Sequence, residues 1–360
     1  MTSSALSETT SQDRIQWIRL SSCYLPLARP ISDAKVLTGR QKPMTEVAML
    51  FAEIQTRDGH WGLGLSYAKR AGGPGQFAHA SEIAPSLLGE DPSDIARLWT
   101  RMCWAGASVG RSGLAVQAIA AFDVALYDIK ARRAGLSLSK LLGSQRESVR
   151  CYNTSGGFLH TPLDELKRNA SASLERGIGG IKLKVGQPDC ALDIRRVEAM
   201  RAHLGDAAPI MVDANQQWDR PTAQRMCRVF EEFNLVWIEE PLDAYDHEGH
   251  AALAARFDTP IATGEMLTSA AEHGDLIRHR SADFLMPDAP RVGGITPFLQ
   301  IAAQAELAHL SLAPHFAMEL HVHLAATCAN EPWVEHFDWL EPLFNERLDI
   351  ADGRMLVPTR

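Results

Sequence analysis

Ile210-Met211-Val212-Asp213, Val236-Trp237-Ile238-Glu239 and Ile261-Ala262-Thr263-Gly264-Glu265 decide how this chain is read. Each is a short apolar run that ends on a carboxylate. Twenty-six residues separate Asp213 from Glu239, and another 26 separate Glu239 from Glu265. That interval is about one strand–helix unit, so the three acids ride on three successive strands, at the end where barrel active sites form. A single acid in such a place would as readily cap a helix; three at one-unit spacing point to a shared site. Hard oxygen ligands with room left for water and substrate suit Mg²⁺. Asp213, Glu239 and Glu265 are therefore the expected ligands of one Mg²⁺ per subunit.

Outward from these runs, strands and helical stretches alternate at near-regular intervals. The expected strands are Val149 to Tyr152, Gly180 to Val185, Pro209 to Val212, Leu235 to Ile238, Pro260 to Ala262, Phe284 to Met286, Ser311 to Ala313 and Trp333 to Val334. Eight such units predict an α/β fold, a (β/α)8-type barrel with parallel strands and an outer ring of helices. The second strand, Ile181-Lys182-Leu183-Lys184-Val185, alternates. Its apolar set faces the helices and both lysines face the interior. Buried ammonium groups need a reason. A neighbouring ammonium and a metal should both depress a lysine pKa and make it usable as a base. Asp288 follows the sixth strand and His315 the seventh, an arrangement in which the carboxylate fixes the imidazole tautomer. Glu335 ends the eighth strand, placed for a substrate or supporting contact.

Before residue 146 the pattern is different. Strands are expected from Ile15 to about Pro26, Val47 to Ile54 and Gly62 to Tyr67, with a turn-rich loop from Pro30 to Lys42. Helices are expected over Ala78 to Leu88, Ile95 to Trp104 and Gly113 to Lys140. Residues 15–145 thus read as an N-terminal α+β domain, 146–335 as the barrel, and 336–360 as a C-terminal segment that returns toward the first domain. Residues 1–14, rich in Ser and Thr and without a basic-then-apolar pattern, read as a disordered tail and not a secretory leader. The chain has 360 residues, 46% hydrophobic and 22% charged, with 36 basic and 44 acidic residues and a net charge of −8. That balance argues against a nucleic-acid or acidic-membrane partner, and no apolar run reaches a membrane span. Six scattered cysteines without a C-x-x-C pair fit reduced thiols in a cytoplasmic protein.

A K-x-K strand, three carboxylates on consecutive strands, a His–Asp pair and a Glu on the last strand resemble the mandelate racemase subgroup of the enolase superfamily. Several stretches resemble, more narrowly, the L-talarate/galactarate dehydratases. Among them are Asp33-Ala34-Lys35-Val36-Leu37-Thr38-Gly39-Arg40, Tyr67-Ala68-Lys69-Arg70-Ala71-Gly72-Gly73 and Val212-Asp213-Ala214-Asn215-Gln216-Gln217-Trp218. Pro314-His315-Phe316-Ala317-Met318-Glu319 and Glu341-Pro342-Leu343-Phe344-Asn345-Glu346 also fit.

The resemblance implies a modified barrel under an N-terminal capping domain. It also implies a homo-oligomer, an octamer, acting on a small sugar diacid. Lys184 and His315 would be the two acid/base groups, with Asp288 behind His315. Lys182 would touch the substrate carboxylate and Glu335 the substrate. Asp33, Ala34, Lys35, Lys69 and Arg70 would line the specificity loops, where Lys35, Lys69 and Arg70 have the charge to meet a distal carboxylate. The reaction implied is α-proton abstraction, an enediolate held on Mg²⁺, and loss of the β-hydroxyl as water to a keto-deoxy hexarate, with epimerisation open to the same two bases. Another acid-sugar dehydratase or a 2-hydroxyacid racemase on this scaffold stays open, because fold and bases alone do not separate elimination from racemisation. A non-catalytic binding protein would be expected to show a degenerate site, and this one is intact. Related chains usually continue past the segment matching Asp352-Gly353-Arg354-Met355, whereas this sequence stops at Arg360; an effect on stability or loop order is the expected consequence.

Overall fold

Three antiparallel strands open the chain: β1 (Ile15–Ile31), β2 (Met44–Thr56) and β3 (Trp61–Lys69), in the order β1-β2-β3. The computed structural model describes residues 13–154 and 157–359. The tail expected over 1–14 lies outside the described residues as far as residue 12. Asp13 is buried, accepts from the Asp58 backbone N–H at 3.1 Å and pairs with Arg133. Between β1 and β2, part of the expected loop is a one-turn helix, α1 (Ala34–Leu37). Asp33 makes the turn possible. Its Oδ1 accepts from the backbone N–H groups of Lys35 and Val36 at 3.0 and 3.3 Å, the ordinary work of an N-cap.

Helices α2 (Gly73–Ile83), α3 (Ile95–Ala105), α4 (Leu114–Ala134) and α5 (Leu138–Leu142) follow. Pro74 in the first turn lets α2 begin earlier than its apolar pattern suggests. The stretch expected as one helix to Lys140 breaks because Gly135 takes the left-handed conformation (φ 64°) and ends α4. The long, alanine-rich α4 lies directly on β3. Gly62 and Gly64 permit this, since a side chain on either would overlap the α4 backbone at Ala125 and Ala121.

The barrel then runs β4 (Ser148–Asn153), α6 (Leu163–Glu175), β5 (Ile181–Lys184), α7 (Cys190–Leu204), β6 (Ile210–Asp213), α8 (Arg220–Phe230), β7 (Ile238–Glu239), α9 (His247–Ala254), β8 (Ile261–Thr263) and α10 (Ala270–His279). It continues through β9 (Phe284–Leu285), α11 (Ala289–Val292), α12 (Ile295–Leu307), β10 (Ser311–Leu312), α13 (Met318–Ala325) and β11 (Trp333–His336). Strands β4 to β10 pair in parallel with their neighbours in chain order, and β11 pairs in parallel with β4. A strand forms at each of the eight expected places, the fourth shifted to Ile238–Glu239 where Leu235 to Ile238 was expected. Ile181, Leu183 and Val185 pack with Leu166 and Ala170 of α6 and Val197 and Met200 of α7, which leaves Lys182 and Lys184 facing inward.

Among the described residues no α-helix like those of the earlier units follows β11. A hairpin, β12 (Ile350–Ala351) and β13 (Arg354–Leu356), pairs antiparallel with the start of β4. Met355 and Val357 pack there with Val149, Cys151, Val322 and Val334. Just before it, Phe337 and Leu340 join Ile31, Met44, Val47, Met49, Tyr67, Phe158 and Phe316 in one apolar cluster that seals the capping layer to the barrel mouth. Truncating one of its aromatic rings would cost about 3–5 kcal/mol. The seam has a polar clamp too. Asp123 of α4 accepts from Thr296 N at 2.9 Å and Thr296 Oγ1 at 2.7 Å, capping α12 from the other layer, and burial pushes its carboxyl up to about 7. Among the described residues no helix is long and apolar enough to cross a membrane.

Candidate active site

Parallel strands of similar length bring their last residues to one level, and the chemistry collects there. Lys184, Asp213 and Glu239 are the final residues of β5, β6 and β7; Glu265, Asp288 and His315 lie just beyond β8, β9 and β10; Glu335 is within β11. Asp213, Glu239 and Glu265 are buried and offer oxygens that all lie within 4.8 Å of one another. Burial, and then the Asp213 charge, push the Glu239 carboxyl well above the usual range although Lys182 stands beside it. Glu265 goes the other way: burial is outweighed by His315, Lys184 and Lys182, which hold its carboxyl well below the usual range. Asn215, which donates to Asp213 Oδ2 at 3.0 Å, keeps a buried Oδ1 with no hydrogen-bond partner. Three hard carboxylates converging on one point and an orphaned carbonyl oxygen nearby fit a divalent, oxygen-seeking cation.

Lys182 Nζ lies 2.9 and 2.8 Å from the two Glu239 oxygens and 2.7 Å from Glu335 Oε1. Burial works against its charge, but Glu239 and Glu335 more than offset that and hold it well above the usual lysine range. Glu335 is drawn down to about 2, burial being outweighed by Lys182 and His315. Its other contacts fix it firmly: Thr154 Oγ1 donates to Oε1 at 2.8 Å and the Phe316 backbone N–H to Oε2 at 3.0 Å. Lys184 pairs with Asp213. The sequence leads to a depressed Lys184 pKa. In the structure burial and the Lys182 ammonium do lower it, but the carboxylates of Asp213, Glu265 and Glu239 together outweigh them and hold it above the usual lysine range.

His315 is held from several sides. Its Nδ1 meets Asp288 Oδ2 at 2.7 Å, and its Nε2 lies 3.3 Å from Glu265 Oε2 and 3.2 Å from Lys69 Nζ. Burial raises the Asp288 carboxyl, but the hydrogen bond and charge of His315, the His321 charge and the Tyr67 hydrogen bond together keep it below the usual range. Lys184 and His315 stand on either flank of the carboxylate triad, one on the strand before it and one two strands after.

The cap completes the chamber. Asp33, Lys35, Lys69, Arg70, Lys184, Glu265, His315 and Glu335 line one cavity of about 140 Å³. Ala34, expected with them, is fully buried and does not reach it. Lys69 is the last residue of β3 and not part of a loop. Its Nζ sits 4.1 Å from the centre of the Phe316 ring and 5.6 to 5.9 Å from those of Tyr67, Trp339 and Phe337. Burial there lowers its pKa to about 8 against the pull of Glu265, Asp288 and Glu335. Arg70, in the left-handed region (φ 63°), gives its charge to Asp33 Oδ2 at 3.1 Å and its Nε–H to Lys42 O at 3.2 Å.

Residues 165–360 match the Enolase C-terminal domain-like family, and residues 35–143 match the Mandelate racemase / muconate lactonizing enzyme N-terminal domain. This chain belongs to the enolase superfamily. Within the superfamily, the L-talarate/galactarate dehydratase of Salmonella typhimurium is 66% identical over 348 residues, covering 97% of this chain and 87% of the relative. The crystal structure of L-talarate dehydratase from Polaromonas sp. JS666, complexed with Mg and L-glucarate, is 82% identical with a TM-score of 0.95, covering 97% of this chain and 93% of that one. The Salmonella typhimurium LT2 enzyme liganded with Mg and L-lyxarohydroxamate gives 65% identity and a TM-score of 0.97 over 100% of this chain and 92% of that one.

Sequence reasoning within the superfamily pattern missed several lining residues, among them Asn215, Met44, Phe158, Arg291 and Trp339. It also missed Tyr67, whose hydroxyl donates to Asp288 Oδ2. A signal for Tyr67 existed. It lies two residues before Lys69 on a strand, hence on the same face. Arg291, three residues after Asp288, carried no comparable mark.

Proposed function

We propose that this chain is a Mg²⁺-dependent hydro-lyase that dehydrates galactarate and L-talarate to a keto-deoxy hexarate. The pair Lys184 and His315, on opposite flanks of the buried triad Asp213, Glu239 and Glu265, supports α-proton abstraction, and what carries water loss over racemisation is the likeness to a dehydratase. The 66% identity to a dehydratase of these two acids supports the substrate. The three carboxylates would hold one Mg²⁺, which supplies a Lewis acid that acidifies the carbon next to a ligated carboxylate. Lys182 Nζ would donate to that carboxylate and meet the charge that develops on it when the α-proton leaves. Lys184 or His315, whichever faces the α-hydrogen, would take it. The β-hydroxyl would leave as water with a proton from the acid on its own side, and the enol so formed becomes the ketone. Galactarate and L-talarate are epimers at one carbon, so a base on each flank serves both.

At the far end of the substrate, Lys69 and Lys35 would face the second carboxylate. Arg70, already spent on Asp33, would shape the α1 turn instead. The enzyme would work in the cytoplasm, which six free cysteines suit, and as a homo-oligomer, an octamer, in line with the family resemblance. The test is Mg²⁺-dependent keto-acid formation over a panel of sugar mono- and diacids. Turnover is expected for galactarate or L-talarate; turnover of monoacids alone would sink the substrate assignment, and racemisation of a 2-hydroxyacid without water loss would sink the reaction.

A further inference from the structure

Asp288 stands behind His315, and its acceptor capacity is divided among three donors. Oδ1 accepts from the backbone N–H of Arg291 at 3.2 Å. Oδ2 accepts from two donors, His315 Nδ1 at 2.7 Å and the Tyr67 hydroxyl. A carboxylate oxygen has two lone pairs, so both are engaged. Tyr67 is 1% exposed, and its ring meets the Phe316 ring edge-on at 4.7 Å, directly after His315 in the chain. Burial and Asp288 hold its hydroxyl well above the usual tyrosine pKa, so it remains a donor. Two residues further along the same face of β3, Lys69 Nζ stands 3.2 Å from His315 Nε2. One strand of the capping layer therefore reaches both ends of the dyad. Lys184 is paired instead with Asp213, on the adjoining barrel strand.

We propose that Tyr67 is a positioning residue for His315, set from the capping layer: its hydroxyl fixes the rotation of the Asp288 carboxylate and so the direction and tautomer of the imidazole. The proposal rests on the two-base reading above and refines it. With Oδ2 pinned, Nδ1 keeps its proton and Nε2 stays the nitrogen that faces substrate. Without the hydroxyl the carboxylate can turn and the ring loses its aim, while the Lys184 flank is untouched.

The experiment is α-hydrogen exchange with deuterated water in the Mg²⁺-loaded enzyme, read by proton NMR on galactarate and L-talarate separately. The parent, Tyr67→Phe and His315→Asn are compared. Tyr67→Phe is expected to slow exchange by about ten-fold or more, the size typical of losing a partner that orients an imidazole. The slowing should fall on the epimer that His315→Asn slows and spare the other. Equal slowing of both epimers, or of neither, while His315→Asn still discriminates, overturns the proposal and leaves the two bases standing. If His315→Asn itself fails to discriminate, the two-base reading falls. Tyr67 is then judged without turnover, from the His315 Nδ1–H resonance of histidine-labelled protein. A protected signal in the parent that is lost in Tyr67→Phe supports the positioning role, and a signal unchanged by the substitution overturns it.

Discussion

The barrel rim and the capping face bury lysines in opposite ways. On the rim, Lys182 and Lys184 lie against Glu239, Glu335 and Asp213, and both are held above the usual lysine range although burial opposes it. On the cap, Lys69 lies among four aromatic rings and falls to about 8. An aromatic face attracts a cation, but far less than a carboxylate at hydrogen-bond distance, so desolvation wins on the cap and loses on the rim. The difference teaches that the rim keeps its lysine charges through ion pairs, so that a cation drawing Asp213 away from Lys184 would free that amine to act as a base. The cap holds a charge that changes within a working pH range.

The most damaging way to test that contrast is to break one of the rim's ion pairs. Glu239→Gln removes one charge and keeps the shape. Mg²⁺-dependent keto-acid formation is expected to fall on the order of 10³-fold, with Mg²⁺ affinity lowered and the circular dichroism spectrum unchanged. Near-normal turnover would mean that Glu239 is not a ligand. The next largest effect separates the flanks. Lys184→Ala and His315→Asn are each expected to slow α-hydrogen exchange by about 10²- to 10⁴-fold on one epimer, and on different epimers. Exchange of both epimers at normal rates in both variants, with Mg²⁺ binding intact, would remove the two-base assignment.

Smaller effects should come from the cap, and there pH sharpens the comparison. The folded-state pKa of Lys69 lies below the ordinary value of 10.5, at about 8, so its charge is present below pH 8 and lost above it. Affinity for a diacid should decline between pH 7 and 9, measured as the inhibition constant of a non-reacting analogue. Lys69→Met should flatten that profile and weaken diacids by about ten-fold at pH 7, monoacids much less. Arg70→Gln should cost only about two- to five-fold, and equally for mono- and diacids, because its charge already serves Asp33. A pH-independent affinity, or a diacid-selective loss in Arg70→Gln, would contradict this division of roles.

Much of the rim is legible in the sequence, because its information is local. Strand period 2 sets Lys182 and Lys184 inward, and one strand–helix unit between acids sets Asp213, Glu239 and Glu265 side by side. The eight strands, the three carboxylates and the places of Lys184 and His315 follow from spacing in the chain, since a parallel barrel turns regular sequence intervals into neighbours, whereas the assignment of those two as the bases rests on the family resemblance. The cap's share of the site was decided only by the tertiary structure. Tyr67 meets Asp288 across 221 residues, and Lys69 meets His315 across 246. No periodicity connects positions so far apart. Their contact depends on how the apolar seam of Met44, Val47, Phe158, Phe316 and Phe337 docks one layer on the other. The same docking sets the charge state of Lys69, because a pKa answers to the groups packed around it and not to those beside it in the chain.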